Sequence, residues 1–508
     1  MMIITLLVSE INKNNYITPN QMREPRDPDD YTHPHQKLLR LYSSHDRYNV
    51  IRLTEYLDQP NPFYVINMGN YGDFRNLNLW SLIPKEDIKI LTENKIPILL
   101  WFPLEGPDHS TIDEWKNVIE AKNSVGLTDN KMFVLTVSPV LEQNYKNPVL
   151  HLGPNSELDN TEFILSVNYC IEFGNYALEG SKYTFFDGAR HNCCKITDHD
   201  FNRKKYNFLC LNHLIHTRFN RLLLLQSLYC ANSPFKDNII SAIWGDLSKS
   251  NPLLYDTNAK KQKFYEDLVI FMSNHDKKIT NDKSLIHLIE ILEELNIYNF
   301  ADYTKLKKIE KSNLSESALF LYNLIIDSLN EDIFPVQYLS DTKKIDRNRS
   351  KNFGNFNISW DKQWYIESWF SIITESWDYN DNQQTEHSAL YFPMLSEKTI
   401  KAIINHHPFI IFGSPGCNNV LEKYNFRRFD QTLLGLPEEF SIGNLPFIEK
   451  QRLFIEALER FSEKSHAEKV SLWNKVEKDI IHNFEVLMNT DWIEVQYNLM
   501  LESIGHNN

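Results

Sequence analysis

Cysteine pairs at metal-binding spacing are missing from this chain: its six cysteines, at 170, 193, 194, 210, 230 and 417, form no CxxC motif. That argues against a zinc site, and buried thiols in a reducing compartment are the economical reading. An excess of basic residues is missing as well. The formal net charge is −14, which argues against a protein whose main work is gripping phosphate backbones. No apolar run reaches the roughly 18 residues of a membrane-spanning helix. Met1 to Val8 is apolar but lacks the basic n-region and the length of a signal peptide. The expectation is a soluble, cytoplasmic protein without a membrane span, whose first residues form a strand. No periodic repeat is visible, which disfavours a solenoid.

What the chain does have is enough apolar material for more than one core. With 508 residues, 42% hydrophobic and 13% aromatic, it exceeds what one core supports, so two domains plus an insertion are expected. Short apolar runs recur at Ile3 to Val8, Phe63 to Met68, Ile96 to Phe102, Met132 to Val137 and Phe163 to Val167, separated by polar or helical intervals. That order is the α/β signature. Asn12 to His35, rich in Asn, Asp, Pro and charge, reads as a long surface loop. A polar, basic link at Asp198 to Lys205 precedes a new strand, Asn207 to Leu211, and places a domain boundary. Residues 1–205 then form a first α/β domain and 206–446 a second. Within the second, leucines and isoleucines at helical spacing over about 255–335 predict inserted amphipathic helices. The tail, 447–508, is strongly helical, with faces able to pack on both halves.

The most informative stretch runs from Tyr391 to Gly416. Ser396 suits an N-cap and Glu397 the positive end of a helix dipole, while Leu395 and Ile400 fall at hydrophobic-staple positions. Ile400, Ile403 and Ile404 form a buried stripe, and His406-His407-Pro408 ends the helix. Phe409 to Phe412 is a continuous apolar run, as in a parallel strand covered on both faces. Gly413 and Gly416 permit a tight turn into a helix carrying Val420, Leu421 and Tyr424. Lys398 thus sits near a helix start, where an anion meets backbone N–H groups, a favourable dipole and an ammonium together. The plainer alternative is a solvated first-turn lysine in an ordinary α/β unit.

Two further segments converge on the same sheet edge. The strand ending at Asn212 leads into a helix with Arg218 and Arg221 near its start, and an arginine there can take a diphosphate in bidentate fashion. Trp364 to Ser376 reads as a strand ending in a Thr-Glu-Ser step, which puts Glu375 at that edge, ready to accept from sugar hydroxyls or to pair with a cation. In doubly wound sheets that edge is where ligands bind. A surface arginine pair and an ordinary salt bridge are the competing readings.

These segments together resemble the donor domain of the alpha-1,3-fucosyltransferase type of GT-B glycosyltransferase, a layout shared with phage and giant-virus glycosyltransferase-like proteins. The resemblance covers roughly 206–245 and 360–430. Asn212 and Arg218 match the family's strand-Ser-Asn segment with its downstream Arg, and Glu375 matches its Glu-Asn-Ser step. Ser396, Glu397 and Lys398 match its Thr-Glu-Lys helix start, and Pro408 to Gly413 its following strand. Departures are Ser376 where the family has Asn, and Ser396 in place of Thr. The resemblance implies two Rossmann-like domains in a GT-B-like arrangement, a nucleotide-sugar donor, and a glycan or glycoconjugate acceptor. By it, Arg218 and Lys398 neutralise the donor diphosphate, while Glu375 and Glu397 contact ribose or donor sugar.

Fixed cations and helix starts can stabilise a leaving nucleoside diphosphate without a metal. No metal motif is expected, because Asp27-Pro28-Asp29-Asp30 lies in the surface loop, and no cofactor is expected beyond the nucleotide-sugar co-substrate. An inverting enzyme needs a base from the first domain; Glu105, just past the Ile98 to Phe102 run, is the candidate, with His109 and Asp187 as weaker substitutes. Glu105 as an ordinary loop acid is the alternative. Two other functions stay open: a transferase acting on modified bases in DNA, disfavoured by the acidic charge, and a non-catalytic interaction protein that keeps the fold.

Overall fold

The computed structural model describes residues 2–8, 45–56, 59–67, 80–81, 83–102, 112–136, 140–141, 150–151, 153–154, 161–165, 193–212, 238–242, 310–314, 362–375, 395, 397–413, 417–442 and 447–505, with single positions at 224, 228, 235 and 319. Strands β1 (Ile4–Val8), β2 (Tyr48–Arg52), β3 (Pro62–Asn67), β4 (Ile98–Phe102), β5 (Met132–Thr136) and β9 (Thr161–Leu165) pair in parallel, in the order β2-β1-β3-β4-β5-β9. β8 (Gly153–Pro154) closes the far edge antiparallel to β9. A separate antiparallel pair joins β6 (Val140–Leu141) to β7 (Leu150–His151).

Helices α1 (Lys85–Glu93) and α2 (Ile112–Ser124) lie in the β3 to β4 and β4 to β5 connections. Every residue of β4 is buried, as a parallel strand covered on both faces requires. Buried Asn130 stitches one crossover to the sheet, its Nδ2 donating to the carbonyls of Leu91 and Ile96 at 2.8 Å each. The five apolar runs read from the sequence are thus strands of one α/β sheet. β2 is an addition: Tyr-Asn-Val-Ile-Arg is short, polar at two positions and mostly half-buried, as an edge strand can be.

The second sheet has four parallel strands, β10 (Tyr206–Asn212), β11 (Ile239–Ala242), β12 (Ser368–Ile373) and β13 (Phe409–Ile411), in the order β11-β10-β12-β13. The chain leaves β10 towards one edge and returns to build the other, so connections diverge between β10 and β12. That makes their carboxyl ends a topological switch point. Glu375 follows β12 by two residues. One expectation changes here: Lys362–Glu367 is a helix, α3, not the start of the strand. The Ser368 hydroxyl closes its last turn by donating to the Trp364 carbonyl at 2.7 Å. Its aromatic residues favour strands by propensity, and tertiary packing of Tyr365 and Ile366 overrides this.

The expected helix start at 397 is present as α4 (Glu397–Ile404), followed after β13 by α5 (Cys417–Lys423), α6 (Asp430–Leu434) and α7 (Glu438–Ile442). His406, at φ 46°, ends α4 in a left-handed turn before Pro408. Three long helices finish the chain: α8 (Phe447–Ser462), α9 (His466–Asn489) and α10 (Trp492–Gly505). Ser465 opens α9 with a reciprocal capping box to Glu468. α10 touches both regions of the chain. Glu494 takes Arg47 in a bidentate pair at 2.7 and 2.8 Å, and the Tyr497 hydroxyl donates to the Met2 carbonyl. On the other side Trp492 stacks on Phe426. The surface loop at 12–35 and nearly all of the helical segment at 255–335 lie outside the described residues.

Candidate functional site

The carboxyl end of the second sheet gathers several of the residues singled out in the sequence. Glu375 is 1% exposed, and its Oε1 accepts from the Thr399 hydroxyl at 2.6 Å. Thr399 stands in the first turn of α4, next to Lys398, so α4 begins against the end of β12. Gly413 follows the neighbouring strand, β13, by two residues. A Cβ built on Gly413 would lie 3.2 Å from the Glu375 Cβ, so glycine is what lets the two strand ends close on each other. Gly413, which the resemblance puts among the donor-binding residues, packs directly beside Glu375.

Asn212 is the last residue of β10, and Glu397 the first of α4. Arg218, Ser396 and Glu105, together with His109 and Asp187, lie outside the described residues. The structure therefore brings Glu375, Lys398 and Gly413 to one edge, with Asn212 ending the strand beside them. Two members escaped the sequence reading. Thr399 orients Glu375. Lys450 of α8 reaches the same strand end and donates to the Gly413 carbonyl at 2.9 Å. Its signal was available: Phe447, Lys450, Phe454, Ala457 and Phe461 share one helical face, and only one of them is charged.

A second polar cluster sits at the opposite, amino end of the same sheet. The segment 193–205, which includes the polar link expected at Asp198 to Lys205, folds as two short turns packed under the sheet. The Cys194 amide donates to Asn405 Oδ1 at 3.0 Å, and His199 Nε2–H donates to the Asn405 carbonyl at 2.9 Å. Lys204 Nζ donates to the Ser368 carbonyl and to His199 Nδ1, and lies 4.5 Å from the Trp473 ring centre. His407 donates through Nε2 to the Ser368 carbonyl at 3.0 Å and accepts at Nδ1 from the Ser371 hydroxyl at 2.8 Å. Both imidazoles are held neutral. Burial first, then the nearby Lys204 charge, pushes His199 down to about 3 and His407 well below its ordinary value. Burial also lowers Lys204 to about 7. Every polar group here has a protein partner and the cluster lies away from the switch point, so its work is to fix the strap beneath the sheet.

Among the described residues no three His, Cys, Asp or Glu side chains group as a metal site, and no helix is long and apolar enough to cross a membrane. No protein-family model matches the chain, and no curated protein matches it in sequence.

Proposed function

We propose that this chain is a glycosyltransferase of GT-B-like arrangement, moving a sugar from a nucleotide-sugar donor to a hydroxyl of a glycan or glycoconjugate. The observation that carries the reading is the meeting of Glu375, the first turn of α4 with Lys398, and Gly413 at the carboxyl end of a parallel sheet, beside its switch point. A helix start with an ammonium favours a diphosphate, and a buried carboxylate fixed by Thr399 suits hydroxyl groups. Arg218, placed after β10 in the sequence, adds a bidentate partner for the same diphosphate.

In this reading Glu105, three residues past β4, takes the proton from the acceptor hydroxyl. The acceptor oxygen attacks the anomeric carbon, and the carbon–oxygen bond to the diphosphate breaks with its electron pair leaving on the phosphate oxygen. Lys398, Arg218 and the α4 N–H groups stabilise that charge, so no metal ion is required. The test is release of nucleoside diphosphate from UDP-, GDP- or dTDP-sugars in the presence of glycan acceptors. Turnover that survives EDTA and falls at least about 100-fold in Glu105→Gln supports the reading. No turnover with any donor, or full activity in that variant, contradicts it.

A further inference from the structure

One buried ammonium at the carboxyl edge of the second sheet makes no ion pair among the described residues. Lys450 stands in the apolar stripe of α8 and is 7% exposed. Its Nζ makes one hydrogen bond, to the Gly413 carbonyl, and lies 5.1 Å from the Phe440 ring centre and 6.0 Å from that of Phe412. An ammonium has three N–H donors, so two are left to an aromatic wall. Among the described residues no carboxylate pairs with it; Asp430 and Cys417 act on it only through space, and burial pushes it down to about 8. Burying a cation without a partner costs stability, and a methionine or leucine in the same stripe would avoid that cost. Capping a carbonyl does not need the charge either. The charge itself calls for a ligand.

Position says which one. Gly413 touches Glu375, and Glu375 accepts from Thr399, the neighbour of Lys398. Phe412 packs on Phe454 of α8, while Gly413, the next residue, lies against Glu375. α8, through Lys450 on the Gly413 carbonyl, and α4, through Thr399 on Glu375, therefore both reach the chain just past the end of β13. Resting on the proposed function, we infer that Lys450 is a second cation of the diphosphate site, giving up the Gly413 carbonyl for a phosphate oxygen when the ligand binds. The anion then lies across the end of β13, between Lys398 and Lys450.

The probe is inorganic pyrophosphate, titrated calorimetrically into the full chain, with unliganded thermal unfolding run beside it. Lys450→Gln keeps a donor for the Gly413 carbonyl and removes the charge; Lys450→Met removes both. The expected result is an unliganded Tm unchanged or raised in Lys450→Gln, with pyrophosphate Kd weakened about tenfold in both variants, as loss of a charge-assisted hydrogen bond implies. Pyrophosphate Kd in Lys450→Gln equal to wild type, with Lys398→Ala weakened, overturns the role of Lys450 and leaves the proposed function standing. Loss of cooperative unfolding in both Lys450 variants also overturns it, because a ligand-binding charge is dispensable to the unliganded fold. Failure of pyrophosphate to bind wild type overturns both.

Discussion

A single missing Cβ decides how the candidate site closes. In Gly413→Ala the new methyl would meet the Glu375 Cβ at 3.2 Å and the Glu375 amide nitrogen at 3.5 Å. The two strand ends would have to part by a few tenths of an ångström, and overpacking of this kind costs about 1–3 kcal/mol. Denaturant unfolding of Gly413→Ala should show that loss; wild-type stability would mean the edge is looser than described. The histidines give a second residue-scale expectation. His199 is held to about 3 in the fold against 6.5 in the unfolded chain, and His407 is lowered too. Between those values the unfolded chain binds protons that the native protein does not. The stability these two histidines contribute is therefore complete above about pH 6.5 and is lost as pH falls towards 3. Urea midpoints across pH 4 to 7 should rise with pH, and His199→Gln should flatten the slope. Of these residues Glu375 was legible in the sequence, because a polar step after a strand marks a sheet edge. His199, Lys204, His407 and Trp473 were not. Residues up to 274 positions apart meet there (473 − 199), and no spacing along the chain encodes such a meeting.

Among the elements, those with continuous apolar runs were readable and those set by packing were not. Ile98–Phe102 and Phe409–Ile411 announce themselves as buried parallel strands. The helix of Glu397–Ile404 does so through its isoleucine stripe and its His-His-Pro ending. α3 misleads because its Trp364 and Tyr365 carry strand propensity, yet the turn is closed by Ser368 and by Gln363 donating to Glu367 at 2.7 Å. α9 shows how one element organises others. Its Trp473 is 2% exposed and lies against His199, His407 and Phe201. Trp473→Ala removes that wall from the strap and the sheet together. The expected cost is about 3–5 kcal/mol in equilibrium unfolding; a loss below about 1 kcal/mol would show that the strap does not depend on α9.

For the whole molecule, α10 and the second sheet's edge carry the account. Arg47, Tyr48 and Met2 of the first sheet's amino end all meet α10, through Glu494, Tyr497 and Met500. Truncation before Trp492 should abolish hydrogen-exchange protection of Tyr48–Arg52; retained protection would show that β2 holds without the helix. The central claim is that the edge formed by Glu375, Lys398 and Gly413 holds the diphosphate of a nucleotide-sugar. Its most direct test is thermal unfolding of the full chain with UDP-, GDP- and dTDP-sugars, repeated in Lys398→Ala. The account predicts that at least one donor raises the wild-type Tm by about 2 °C or more at a hundredfold excess over Kd, with the shift lost in Lys398→Ala. No shift with any donor, or an equal shift in the variant, would contradict it.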